Sequence, residues 1–163
     1  MPSPNPRSSP SPSQGPDPLS PDEELLWRAM NRIAAALPRA LDAELLRAAG
    51  LTLHEYAVLL RLFEADGRAL RMAELATEVT LSPSRITRLV DGLCTRDLVT
   101  KTRCPADGRG YVAALTDEGA ARLSAAHPAL LSRAHQHVFD HINPAAVGTL
   151  GRALTLVAEE LAA

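Results

Sequence analysis

Aromatic side chains are scarce in this chain of 163 residues: two Tyr, two Phe and one Trp make up 3% of it. A core poor in rings must be filled by Leu, Val and Ala. Ala and Leu head the helix-propensity ranking, so the shortage points to a mainly helical protein. Cysteine is limited to Cys94 and Cys104. Glycine is limited to nine scattered residues, which leaves no Gly-rich loop to cradle a phosphate. No G-x-S-x-G and no H-E-x-x-H occurs, so neither a hydrolase elbow nor a zinc-protease helix is present. We therefore name no catalytic residue, no metal ligand and no cofactor, and expect a protein that is not an enzyme. No apolar run approaches the roughly 18 residues of a membrane-spanning helix. The N-terminus also lacks the apolar stretch of a secretion signal. The expected location is the cytoplasm, where both thiols stay reduced.

What is present is a chain long enough for one domain, with 46% hydrophobic residues and a net charge of −2. The charge is unevenly placed. Between Arg85 and Arg109 lie six basic residues (Arg85, Arg88, Arg96, Lys101, Arg103, Arg109) and three acidic ones (Asp91, Asp97, Asp107), a local excess of +3. The other 11 basic and 16 acidic residues give −5. A positive stripe on an acidic body can still bind DNA, because the field near the contact matters more than the total.

Residues 1–20 hold seven prolines and six serines and cannot bury apolar surface, so a disordered Pro/Ser-rich tail is expected. From Pro21 the pattern turns helical. Ser20 and Glu23 form a capping box, and Leu26, Met30, Ile33, Leu37, Leu41 and Leu45 recur at helical spacing. Pro38 lies inside this run and is expected to kink it, and Gly50 ends it. Thr52–Ala65 reads as a second helix with Thr52 as its cap. Leu70–Val79 reads as a third, and Pro83–Arg96 as a fourth, capped by Ser82. Leu98–Arg103 and Tyr111–Leu115 alternate like two strands. A long helix is expected from Thr116 to about Ile142, and a last one from Pro144, with Val147, Leu150, Leu154, Val157 and Leu161 on one stripe.

Two short helices, a tight turn and a hairpin make a winged helix-turn-helix. On a helical wheel Ile86, Leu89, Val90 and Leu93 cluster on one side. Ser84, Arg88, Asp91 and Thr95 lie opposite, with Arg85 and Thr87 on the flanks. Arginine can bond guanine O6 and N7 together, and a helix N-terminus favours phosphate. The hairpin then offers Arg109 at its tip to a narrow, negative minor groove. Gly108 and Gly110 ease the turn, and Asp107 has a structural role there, orienting the arginine or bonding local amides. The candidate DNA-binding residues are Ser82, Ser84, Arg85, Thr87, Arg88, Lys101, Arg103, Asp107 and Arg109.

Four stretches resemble the MarR family of bacterial transcriptional regulators: GLTLHEYAVLLRL (Gly50–Leu62), MAELATEVTLSPSRITRLVDGL (Met72–Leu93), DGR (Asp107–Arg109) and AALTDEG (Ala113–Gly119). The resemblance runs over roughly residues 22–162. It implies one domain over 21–163, with a winged-helix part at 51–116 and dimerisation helices at 21–49 and 117–163. It also implies a homodimer on a palindromic operator and, commonly, a small aromatic or phenolic effector that releases a repressor. Arg88 falls where the family places a major-groove contact, and Arg109 falls on its wing arginine. Gly108 replaces the usual second basic residue of the wing. Trp27, Met30, His54 and Tyr56 lie on the helices where the family lines its effector cleft, with core packing as the competing role for Trp27 and Tyr56.

Two sharper readings and one rival accompany this. Cys104 lies beside Arg103, a setting for a thiol-based redox-sensing regulator, whereas a small filler role needs no reactivity. His137 and His141, four apart on the expected long helix, have the geometry of a two-ligand zinc half-site but lack further ligands. The rival is a winged-helix scaffold for protein–protein contact without DNA.

Overall fold

The computed structural model describes residues 17–104 and 110–162. The Pro/Ser-rich tail up to residue 16 and the wing tip at residues 105–109 lie outside the described residues.

The helices are α1 (Pro21–Ala49), α2 (Leu53–Glu64), α3 (Met72–Glu78), α4 (Pro83–Cys94), α5 (Asp117–His137) and α6 (Pro144–Ala162). The strands are β1 (Ala69–Arg71), β2 (Val99–Arg103) and β3 (Tyr111–Leu115). The described residues fall into two compact units, one ending at Ala35 and one beginning at Ala36, so the division lies inside α1.

In the first unit the start of α1 is fixed as its sequence predicts. The Ser20 backbone amide donates to Glu23 at 2.8 Å, and the Glu23 amide donates weakly to the Ser20 hydroxyl at 3.4 Å. In the second unit Gly50 closes α1 with φ +63°, a left-handed conformation that glycine adopts without a Cβ penalty. Thr52 and Glu55 then form a complete capping box for α2. The Asp42 carboxylate adds a third bond there, accepting from the Leu53 amide at 2.6 Å.

The core of the second unit gathers Leu45 of α1, Val58, Leu59 and Leu62 of α2, Leu75 of α3, and Ile86, Val90 and Leu93 of α4. Val99, Ala113, Leu115, Leu123 and Ala126 close it from the sheet and α5. Among the described residues, Tyr56 is the one ring in this core. Removing one fully buried leucine, such as Leu59 or Leu62, costs about 2–5 kcal/mol.

The strands form one antiparallel sheet in the order β1-β3-β2. The sequence pattern predicts a two-stranded hairpin, with Leu70 opening the third helix. Instead Leu70 lies in β1, opposite Ala113 of β3, and α3 begins at Met72. The hairpin itself pairs Val99 with Leu115 and Arg103 with Tyr111. Period-two alternation places Val99, Lys101 and Arg103 on one face. That face passes from buried at Val99 to exposed at Arg103, so the ladder leaves the core as it approaches the wing.

Thr116 ties this sheet to α5. Its amide reaches the Leu98 carbonyl at 3.2 Å, and its hydroxyl donates to the Asp97 carbonyl at 2.7 Å and caps the Gly119 amide at 2.9 Å. A Cβ on Gly119 would stand 2.1 Å from the Leu98 carbonyl oxygen. The glycine of AALTDEG is therefore a contact between helix and strand. The helix that follows is shorter than its sequence suggested: α5 ends at His137, and Phe139–His141 form a separate 3-10 turn.

Candidate nucleic-acid interface

The turn between α3 and α4 aims the whole site. The Leu81 amide bonds the Ala76 carbonyl at 2.9 Å, and the Thr80 amide bonds the Thr77 carbonyl at 3.0 Å. These two bonds are a Schellman closure, and they place Thr80 at φ +54°. Pro83 then opens α4 at its first turn. Ser82 occupies the cap position, yet its hydroxyl pairs with the Ser84 hydroxyl at 3.3 Å and caps no helix amide. The expected side-chain cap is thus absent, and both hydroxyls stay on the exposed start of the helix.

α4 separates its faces cleanly. Ile86, Val90 and Leu93 are buried, whereas Ser84, Arg85, Thr87, Arg88, Asp91 and Thr95 are exposed. Thr87 donates its hydroxyl hydrogen to the Pro83 carbonyl at 2.8 Å, which fixes its rotamer and leaves its oxygen free to accept. Among the described residues, the ion pairs of this region engage Arg96 and Lys101, and none involves Arg85, Arg88 or Arg103. Three guanidiniums therefore face solvent ready for acceptors.

Two basic residues of the stripe are already occupied. Arg96 donates to Glu55 at 2.9 Å and to the Gly50 carbonyl at 2.7 Å, joining the end of α4 to the α1–α2 corner. Lys101 pairs with Asp91 of α4, and its ammonium lies 5.3 Å from the centroid of the Tyr111 ring. Asp107 and Arg109 lie outside the described residues. Sequence reasoning missed both engaged partners, because each pair joins elements whose packing no periodicity reveals.

The thiols are placed unequally. Cys104 is buried. Cys94 is partly exposed, and burial pushes its thiol above the ordinary value, with Lys101 opposing and Asp91 adding to the shift. A raised thiol carries less thiolate, which disfavours reaction with oxidants at Cys94. The two-histidine geometry is not realised: α5 stops at His137, so His141 is not one α-helical turn further along it. No group of three or more metal-type ligands occurs among the described residues.

Of the effector-cleft candidates, Trp27 and Met30 belong to the first unit and His54 and Tyr56 to the second. Trp27 is 58% exposed. His54 is exposed and Tyr56 is buried. Burial raises the Tyr56 phenol above its ordinary value, and the Glu64 carboxylate adds to the shift. Its hydroxyl shares a hydrogen bond with Nδ1 of His127 on α5 at 2.6 Å, a partner the sequence did not suggest.

The family model describing the MarR family matches residues 49–110. No curated protein matches the chain. Among solved structures, the chain is similar to Sco3205, a MarR family transcriptional regulator from Streptomyces coelicolor solved in complex with DNA. It shares 36% identity with Sco3205 over 91% of this chain and 93% of the other, with a TM-score of 0.84. AbsC, a MarR family transcriptional regulator from the same organism, shares 29% identity over 90% of this chain and 98% of its own, with a TM-score of 0.81. CouR from Rhodococcus jostii RHA1, solved bound to p-coumaroyl-CoA, shares 26% identity over 82% and 91%, with a TM-score of 0.71.

Proposed function

Because the chain belongs to the MarR family of transcriptional regulators, we propose that it is a repressor that binds double-stranded DNA sequence-specifically as a homodimer on a palindromic operator. The observation that carries this reading is the outer face of α4. There Ser84, Arg85, Thr87 and Arg88 stand exposed above a buried row of Ile86, Val90 and Leu93. Arg85 and Arg88 read base edges or phosphates, and Ser82, Ser84 and Thr87 supply hydroxyls to the backbone. Arg103 carries the contact along β2 toward the wing, where Asp107 and Arg109 complete it. The complex of Sco3205 with DNA supports this use of the fold.

Dimerisation is supported by α6, whose Leu150, Leu154, Val157 and Leu161 are all exposed in the single chain. Release by a small aromatic effector is supported by the p-coumaroyl-CoA complex of CouR. Trp27, Met30, His54 and Tyr56 are the proposed effector-lining residues. Among the described residues no helix is long and apolar enough to cross a membrane. The protein acts by binding, without turnover, in the cytoplasm.

The test is selection of bound duplexes from random-sequence DNA, followed by titration at two salt concentrations. A palindromic consensus should emerge, and affinity should fall as salt rises by about 0.9 log units per log unit of salt for each phosphate contact. Recovery of no consensus, or salt-independent binding, would favour the scaffold reading.

A further inference from the structure

We propose that Lys101 is a positioning residue of the DNA interface that acts through Asp91, rather than a phosphate ligand; this rests on the DNA-binding reading above. Asp91 lies on α4 three residues after Arg88, on the same exposed face. Its side chain is 53% exposed. A bare negative charge there would repel the phosphates that Arg85 and Arg88 approach. Among the described residues, Lys101 is the one seen to answer it. Its side chain is only 22% exposed, its ammonium pairs with the Asp91 carboxylate, and the centroid of the Tyr111 ring lies 5.3 Å from it.

The sheet register makes this meeting possible. Lys101 stands opposite Ala113 of β3, so Tyr111 is its diagonal neighbour on the same face, within reach of a long side chain. Lys101 also stands where the hairpin leaves the core, so its stem bridges from the base of the wing to α4. It is the only lysine among 17 basic residues. A compact ammonium on a flexible stem can reach a carboxylate and a ring together, whereas the planar arginine fork is suited to facing two acceptors at once. The brace thus cancels an unfavourable charge on the reading face and ties the base of the wing to the recognition helix.

A double-mutant cycle separates this role from phosphate contact. The probe is the duplex recovered with the wild-type protein by selection from random-sequence DNA. Lys101→Met should weaken binding about tenfold for a dimer, since it uncovers one carboxylate per protomer near the phosphates. In the Asp91→Asn background the same Lys101→Met change should cost no more than about twofold relative to Asp91→Asn alone, because the charge to be cancelled is gone. Melting temperatures of all three variants should stay within about 4 °C of wild type, as expected for a partly exposed pair.

If Lys101 instead grips phosphate, Lys101→Met costs as much in the Asp91→Asn background as in wild type, and the salt slope falls by about 0.9 per lost contact. That result, or no loss in the single variant, overturns the proposal while leaving DNA binding intact. A wild-type protein that binds no duplex overturns the DNA-binding reading itself.

Discussion

Arginine does two jobs in this molecule, and only the structure separates them. Arg96 and Arg122 donate to the carbonyls of Gly50 and Ala49, where a cation also suits the C-terminal end of α1. Arg133 binds Glu44 through Nε at 3.0 Å and Nη2 at 2.8 Å. Arg85, Arg88 and Arg103 are left facing solvent. The sequence distinguishes the outward pair on α4 by wheel position alone. It cannot assign Arg96, Arg133 or Lys101, because their partners lie on other elements. Glu44 yields a prediction. The Arg133 hydrogen bond holds its carboxyl below the ordinary value of 4.5, burial opposes this, and Arg47 assists. A depressed folded-state value means that this stabilisation is full above the ordinary value and is lost as pH falls through the lowered one. Glu44→Gln should therefore lower the melting temperature near neutral pH and make little difference well below pH 4.5. A gap between the variant and wild type that stays constant or widens on acidification would contradict the assignment.

At the scale of elements, what was legible had a local cause. Thr52–Glu55 and Ser20–Glu23 announce helix starts within four residues, and the apolar row of α4 fixes its buried face. β1 was not legible: Ala69, Leu70 and Arg71 show no alternation, and the partner strand begins some forty residues later. The end of α5 was missed because no glycine or proline marks it; Val138 takes the cap position and the next residues tighten into a 3-10 turn. The turn before α4 was legible as a break but not as a strained one. Thr80 is β-branched and sits at φ +54°, a conformation that costs a residue with a Cβ about 1–2 kcal/mol. Thr80→Gly removes that strain and adds freedom to the unfolded chain worth roughly 0.4–1 kcal/mol. The net expectation is a gain of about 0.5–1 kcal/mol, read as a higher urea midpoint. A lower midpoint would mean that the threonine side chain stabilises the turn.

For the whole molecule, the described chain leaves an apolar row unburied. Leu150, Leu154 and Val157 of α6 are 41%, 49% and 45% exposed, and Leu161 is 83% exposed. Burying such side chains fully contributes about 1.5–3 kcal/mol each, which a second copy would supply. Deletion from Pro144 onward should give a monomer or an insoluble chain by sedimentation, and a soluble dimer at micromolar concentration would place the interface elsewhere. The family, the winged helix and the outward face of α4 were all readable from residues 50–119, whereas the wing tip that carries Arg109 lies outside the described residues. The claim on which the account rests is that this outward face reads sequence. It is tested most directly by titrating Arg88→Ala and wild type on the selected duplex and on a scrambled duplex of equal length. Arg88→Ala should lose about 1–3 kcal/mol per guanine contact on the selected duplex and much less on the scrambled one. Equal losses on both would reduce Arg88 to a phosphate contact, and no loss on either would remove α4 from the interface.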